Sequence, residues 1–353
     1  MITLPDLPLD GLKTLTDEVG MLQHSKFSII DRHKGYTTDD NARALISAIR
    51  YNHVYASLES LELAKLYLAF LLHMQKMDGS FSNLLGYDRA LKDKGGSEEC
   101  TGRALWACGS VLESNVGEDL KQVAKEMFDK GLPSSREFRS PRARAYTILG
   151  LKGYHAAFPT DSNILENCET HATFLTNLYL SHSEEDWIWF EPYLTYANAR
   201  IPQSLFQAHN MIKDVLYRNI AVNSLKFLVD THFNNGVFMP VGTKGWYMLN
   251  GKKATCDQQP IEASCMVEAL IEAYHSTDSQ EYVKYALQCF NWYHGANVKE
   301  VTLFDPITST CFDGITPKGL NKNQGAESTL SYYMAYLTLK TNQILLPSSM
   351  FPK

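Results

Sequence analysis

Two kinds of helical pattern alternate along the chain. The first places apolar residues at i, i+3, i+4 with charges opposite, the mark of a helix with one wet face. It fits residues 9–22, 61–75, 119–130, 164–180, 214–233 and 280–293. The second opens on a polar or charged lead-in and continues in small and apolar residues on all sides. It recurs at 37–45, 96–106, 140–146, 196–202, 259–266 and 324–330. Small residues suit an inner ring, where neighbours crowd a helix from several directions, and one-sided helices suit an outer ring. Six alternating pairs therefore predict an all-α chain of six helical hairpins closed into an (α/α)6 toroid. No Pro/Ser-rich linker interrupts the pattern, so one toroid domain over 1–353 is expected.

Turn formers mixed with aromatics precede several inner segments. Asp78-Gly79-Ser80-Phe81, Asn234-Asn235-Gly236-Val237-Phe238 and residues 304–314 predict loops with short strands at the end where the inner helices begin. The run Trp187-Ile188-Trp189-Phe190-Glu191-Pro192-Tyr193 belongs to the same end.

Composition narrows the partners. The 353 residues are 44% hydrophobic and 20% charged, with a formal net charge of −6. Lys and Arg form no basic run, which argues against a nucleic-acid surface, because phosphate contacts need clustered cations. No apolar stretch reaches the length of a bilayer span, so no membrane partner is expected. The first six residues lack the basic and apolar regions of a signal peptide. Seven cysteines, an odd number, suit a reducing, cytoplasmic chain rather than a paired disulfide set. CxxC, HExxH, GxGxxG, Walker A and GxSxG patterns are all missing, so neither a metal nor an organic cofactor is expected.

The polar lead-ins carry the candidate chemistry. One acid at a helix start is ordinary capping, worth about 0.3–1 kcal/mol. Asp39, Asp40, Glu98, Glu99, Glu191, Glu262 and Glu327 would, however, converge on a single funnel, where mutual repulsion makes a purely structural role expensive. Trp187, Trp189, Phe190, Tyr193, Tyr196, Trp246 and Tyr247 fall in or beside the same loops. Acids accept hydrogen bonds from hydroxyls and aromatic faces pack on C–H surfaces, so the mixture suits a sugar ring. Arg43, Arg103, Arg144 and Arg200 follow the lead-ins and are read first as buried partners of the acids.

The six-hairpin pattern, with acids at inner-helix starts and a DGSF-type loop, resembles the six-hairpin glycosidase superfamily. Tyr36-Thr37-Thr38-Asp39-Asp40-Asn41-Ala42-Arg43 is similar to the Asp-Asp helix start of its α-1,6-mannanase-type members, where adjacent aspartates serve as nucleophile and acid/base. Here Asn41-Ala42-Arg43 replaces the usual aromatic continuation. The resemblance implies carbohydrate chemistry, and the leading expectation is a glycoside hydrolase acting on a short oligosaccharide. Acids on different inner helices would leave room for water between them, which favours inversion. Asp40 with Glu191 or Glu262 is the expected catalytic pair. Asp39, Glu98, Glu99, Arg103, Trp189, Tyr193, Trp246 and Glu327 are expected to bind substrate. A sugar epimerase or isomerase would want a histidine pair at the inner-helix starts, and His24, His33, His209 and His294 fall at none of the lead-ins. A non-catalytic carbohydrate-binding protein would keep the aromatics without needing paired acids.

Overall fold

A computed structural model describes residues 4–93 and 95–345; the ends of the expected domain, 1–3 and 346–353, lie outside the described residues. Its helices, in chain order, are α1 (Asp10–Thr14), α2 (Thr38–Tyr55), α3 (Leu58–Met74), α4 (Glu98–Leu112), α5 (Glu118–Ser135), α6 (Pro141–Ala157), α7 (Ser162–His182), α8 (Arg200–Ile212), α9 (Val215–His232), α10 (Pro260–Thr277), α11 (Gln280–Asn291) and α12 (Ala326–Thr341). The even-numbered helices form the inner ring. Each packs on the next, α2 on α4 and so on to α12, and α12 returns to α2, which closes the circle. The odd-numbered helices form the outer ring, α3, α5, α7, α9 and α11 each against the inner helix before it and α1 against α12. The (α/α)6 toroid expected from the pattern is the fold.

Local chemistry explains where the inner helices start. Thr37, Ser97 and Ser140 stand before α2, α4 and α6 and accept a hydrogen bond from the backbone N–H three residues on, which satisfies one donor of an open first turn. Pro141 and Pro260 sit in the first turns of α6 and α10, where the missing N–H costs nothing. Burial explains the composition. From Cys100 to the end of α4 every residue is buried, which only a helix surrounded by other helices can achieve. The α4–α6 crossing is the tightest case. A Cβ on Gly109 would lie 2.2 Å from the Gly150 carbonyl oxygen, and one on Gly153 would lie 2.2 Å from that of Gly109.

One helix departs from expectation. The pattern at 9–22 predicts a full outer helix, yet α1 is a single turn. The chain folds back at Asp17, whose N–H donates to the Gly20 carbonyl and whose Oδ1 accepts from Val19 N. Asn41 of α2 then fixes the returning strand. Its Oδ1 accepts from Met21 N at 2.7 Å and its Nδ2 donates to Met21 O at 3.1 Å. The buried amide wins over helix periodicity because it satisfies both backbone groups of Met21.

Short antiparallel pairs gather where the inner helices begin. Tyr36–Thr37 pairs with Leu84–Leu85, Tyr193–Leu194 with Tyr247–Met248, and Gly314–Thr316 with Gly319–Asn321. The loops expected at 234–238 and 304–314 carry such strands as well. Among the described residues no helix is long and apolar enough to cross a membrane.

The glycine seam generates a stability test. Gly109→Ala forces a methyl into the Gly150 backbone, and we expect a loss of about 1–3 kcal/mol in denaturant unfolding. Gly95→Ala, where nothing lies within 4 Å, should stay within about 0.5 kcal/mol of the parent.

Candidate functional site

The acids at the mouth are held by arginines projecting from the same ring. Arg43 of α2 donates from Nη2 to Asp40 Oδ1 at 2.8 Å and from Nη1 to Glu327 Oε2 of α12 at 2.9 Å. Arg103 of α4 donates to Asp39 Oδ1 at 2.9 Å and to Glu99 Oε2 at 3.3 Å, and its guanidinium lies 4.5 Å over the Tyr146 ring. Both guanidiniums are buried, and the Nε of each has no hydrogen-bond partner among the described residues. Glu98 Oε2 accepts from the backbone N–H groups of Arg139 and Ser140. Glu99 Oε1 accepts from Ser140 Oγ and, at 2.7 Å, from the Tyr196 hydroxyl.

Asp39, Glu98, Glu99, Arg103, Ser140, Tyr196 and Glu327 line a cavity of about 510 Å³ together with Ser97, Gln259 and Ile261. A second lobe of about 300 Å³ adjoins it, bounded by Gln23, His24, Asp40, Arg43, Asn83, Asp313 and others. Asp39, Gln259 and Glu327 line both lobes and mark their junction. The lining of the two lobes carries six acids, Asp39, Asp40, Glu98, Glu99, Asp313 and Glu327, against two guanidiniums, Arg43 and Arg103, so the wall is acidic. Such a wall suits a neutral, hydroxyl-rich ligand and repels anions. Among the described residues no group of three His, Cys, Asp or Glu side chains is placed to hold a metal ion.

The expected site residues divide. Asp39, Asp40, Glu98, Glu99, Arg103 and Glu327 come together at the cavity. Glu191 does not, because both its oxygens are taken by Arg142 Nη1, at 3.2 and 2.9 Å, in a buried pair. Glu262 lies behind the wall at 2% exposure, accepting from the Ala197 N–H and, at 3.4 Å, from Asn198 Nδ2. Trp189 is fully buried, its ring perpendicular to that of Phe190, and belongs to the core. Tyr193 and Trp246 are half-buried but line neither lobe. Tyr196 alone of the seven aromatics lines the cavity. Of the four expected arginine partners, Arg144 instead holds the Phe138 and Arg136 carbonyls, and Arg142 takes the acid.

Sequence reasoning missed Gln259, Asn83 and Asp313, and it set His24 aside because His24 falls at no lead-in. Gln259 stands directly before Pro260, a helix-start position that carried a usable signal. His24 reaches the second lobe because the segment before α2 doubles back, with Gln23 N–H donating to Gly35 O. No pattern in the chain announces that approach.

Two of the candidate acids have shifted acidities. Burial is the main influence on Asp40 and raises its pKa above the ordinary carboxylate value, against the opposing pull of Arg43 and Thr37. Burial likewise raises Glu262 to about 7, opposed by the Ala197 N–H and by Arg142.

No family model matches the chain, and no curated protein matches it in sequence. Solved structures match it well. A cellobiose 2-epimerase from Bacillus thermoamylovorans superposes with a TM-score of 0.74 at 9% identity, over 95% of both chains. A D-mannose isomerase gives 0.72 at 14% identity, over 95% of this chain and 96% of the other. The chain shares their (α/α)6 toroid fold. A third match is an α-1,6-mannanase from Salegentibacter sp., solved with α-1,6-mannotetrose as an inactive variant lacking two consecutive aspartates. It gives 0.63 at 11% identity, over 94% and 97% of the two chains. At such identities the likeness is one of fold, and that fold carries both glycosidases and epimerases.

Glu262 supplies a pH test. Its carboxyl has a pKa of about 7 when folded against an ordinary 4.5. The stability it contributes is therefore whole below pH 4.5 and is lost as pH rises through 7. Glu262→Gln cannot ionise. The variant should match the parent at low pH and exceed it above neutrality by about 3 kcal/mol in chemical unfolding.

Proposed function

We propose that the protein is a glycoside hydrolase that cleaves a short neutral oligosaccharide by inversion, with the two-lobed acidic mouth as its active site. The observation that carries this reading is the junction of the lobes, where Asp39 and Glu327, from neighbouring inner helices, both border the space a glycosidic bond would occupy. Each has one oxygen held by an arginine. Glu327 Oε1 has no hydrogen bond among the described residues, and its side chain is 44% exposed. Asp39 Oδ2 has only a weak contact from Asn83 Nδ2 at 3.3 Å. A hydrolase needs one carboxyl to protonate the leaving oxygen and one to activate water, and this reading assigns that work to these two.

Asp40 takes a different part in this reading from the one its position first suggests. Thr37 Oγ1 donates to its Oδ2 at 2.6 Å and Arg43 to its Oδ1, so both oxygens are spent. It positions Arg43, and through Arg43 it positions Glu327. Glu98, Glu99, Gln259 and Tyr196 then receive the sugar hydroxyls in the larger lobe. The mannanase relative loses activity when two consecutive aspartates are replaced, which supports a working role for the Asp39-Asp40 pair here. All seven cysteines are free thiols, six of them buried, which supports a cytoplasmic setting.

A second reading, sugar epimerisation or isomerisation, is favoured by one observation: His24 lines the smaller lobe. A single imidazole beside the acids supplies one proton carrier for a carbon next to a carbonyl.

Release of reducing ends from a panel of neutral oligosaccharides separates the readings. Asp39→Asn and Glu327→Gln should each lower kcat by about 10² or more, with melting temperature held. Asp40→Asn should lower kcat less, because an amide still accepts from Arg43. Deuterium uptake from heavy water at carbon 2 of a reducing sugar, with no reducing ends released, would overturn hydrolysis in favour of the second reading.

A further inference from the structure

The inner helices also end around a cavity. At the opposite end of the toroid lies a pocket of about 430 Å³ to which all six contribute, among them Arg50 from α2, Trp106 from α4, Lys152 from α6, Gln207 from α8, Glu272 from α10 and Thr338 from α12. Its volume falls within the ordinary range for small-molecule sites, roughly 300–1,000 Å³. The buried carboxylate of Glu268 forms the floor, gripped by Arg50 at 2.9 Å and by Arg200 at 2.7 Å.

Charge in this pocket is balanced. Arg50, Lys152 and the underlying Arg200 stand against Glu113, Glu268 and Glu272, and Lys152 pairs directly with Glu113. Among these six side chains no net charge remains to select an ion, His53 and His275 also line the pocket, and the carbonyl ends of six helices disfavour an anion. Hydrogen-bonding capacity does remain. Gln203 is 6% exposed and lines the pocket. It spends Oε1 on Arg200 at 2.7 Å, and its Nε2 has no acceptor among the described residues. That donor opens onto the pocket, where water or a ligand can accept from it. Ser110 Oγ, which donates to Trp106 O at 3.0 Å and can still accept, and Gln207, whose side chain also meets Glu272, stand beside it, and Ile49, Leu149 and Ile271 add apolar wall.

We propose that this pocket is a second binding site, distinct from the acidic mouth, and that it takes a neutral monosaccharide. The hydroxyls of a hexose meet Gln203, Gln207 and Ser110, and its C–H surface meets the aliphatic wall. The proposal does not depend on hydrolysis at the other end.

Trp106 is a reporter inside the pocket, one of five tryptophans in the chain. The full chain labelled with fluorotryptophan, with the Trp106 resonance assigned by Trp106→Phe, is titrated with D-glucose, D-mannose and D-galactose at millimolar concentration. At least one hexose should shift the Trp106 resonance saturably, and the shift should persist in Asp39→Asn. Ser110→Leu fills the pocket and Gln207→Leu removes its amide. Each should weaken the apparent affinity by about tenfold or more, a loss of about 1.4 kcal/mol. The proposal is overturned if no hexose moves the resonance, if both pocket variants leave the titration unchanged, or if Asp39→Asn abolishes it. That last result would assign the signal to the acidic mouth.

Discussion

The arrangement of this molecule depends on guanidinium groups planted inside the inner ring. Arg43 ties α2 to α12, Arg103 ties α4 to α2, and Arg200 ties α8 to α10 through Glu268. Arg142 ties α6 to the loop that carries Glu191 and Asn198. Buried ion pairs of this kind contribute little net stability, because stripping water from both partners costs several kcal/mol per ion. The apolar core supplies the stability. The ion pairs fix which helices are neighbours and how far each is rotated, since losing one partner leaves a charge stranded in the interior.

The same arginines make the mouth tolerable. Two carboxylates 4 Å apart at an effective dielectric constant near 20 repel by about 4 kcal/mol. A helix N-terminus returns at most about 1 kcal/mol. Helix dipoles therefore cannot hold six acids at one end, and Arg43 and Arg103 must. Each guanidinium holds one oxygen from each of two carboxylates, and at Glu327 the second oxygen is left for solvent or ligand. Structural necessity and ligand recognition thus share single side chains. That sharing explains why acids at helix starts look like caps when taken one at a time.

The ring was legible in the sequence because small-residue and one-sided helices alternate, and that contrast survives irregular spacing. Asp39, Glu98, Glu99, Arg103 and Glu327 were legible because first-turn positions of inner helices necessarily face one end. What failed depended on rotation or on loops. Arg142 and Arg144 are two residues apart, so their side chains point to different sides of α6, and composition does not say which side meets an acid. Glu191 and Trp189 sit in a loop whose path depends on pairing between Tyr193–Leu194 and Tyr247–Met248, more than fifty residues later. The helix expected at 9–22 was lost to one buried amide, Asn41, which no periodicity registers.

Between the two ends of the toroid the axis is blocked. Trp106 lies with the Arg200 guanidinium 4.7 Å from its ring on the floor side and Arg50 at 5.9 Å, and Glu268 clamps both arginines. Burial alone would raise the Glu268 carboxyl, but Arg200 and Arg50 outweigh it and hold the group at about 2. Glu268 is therefore ionised near neutral pH and holds both arginines as a charged layer. A plug of this kind makes the toroid two shallow basins set back to back rather than a channel. Each basin then has its own electrostatic character, acidic where the helices begin and balanced where they end. A small molecule held in one can influence the other only through the shared helices and this charged layer.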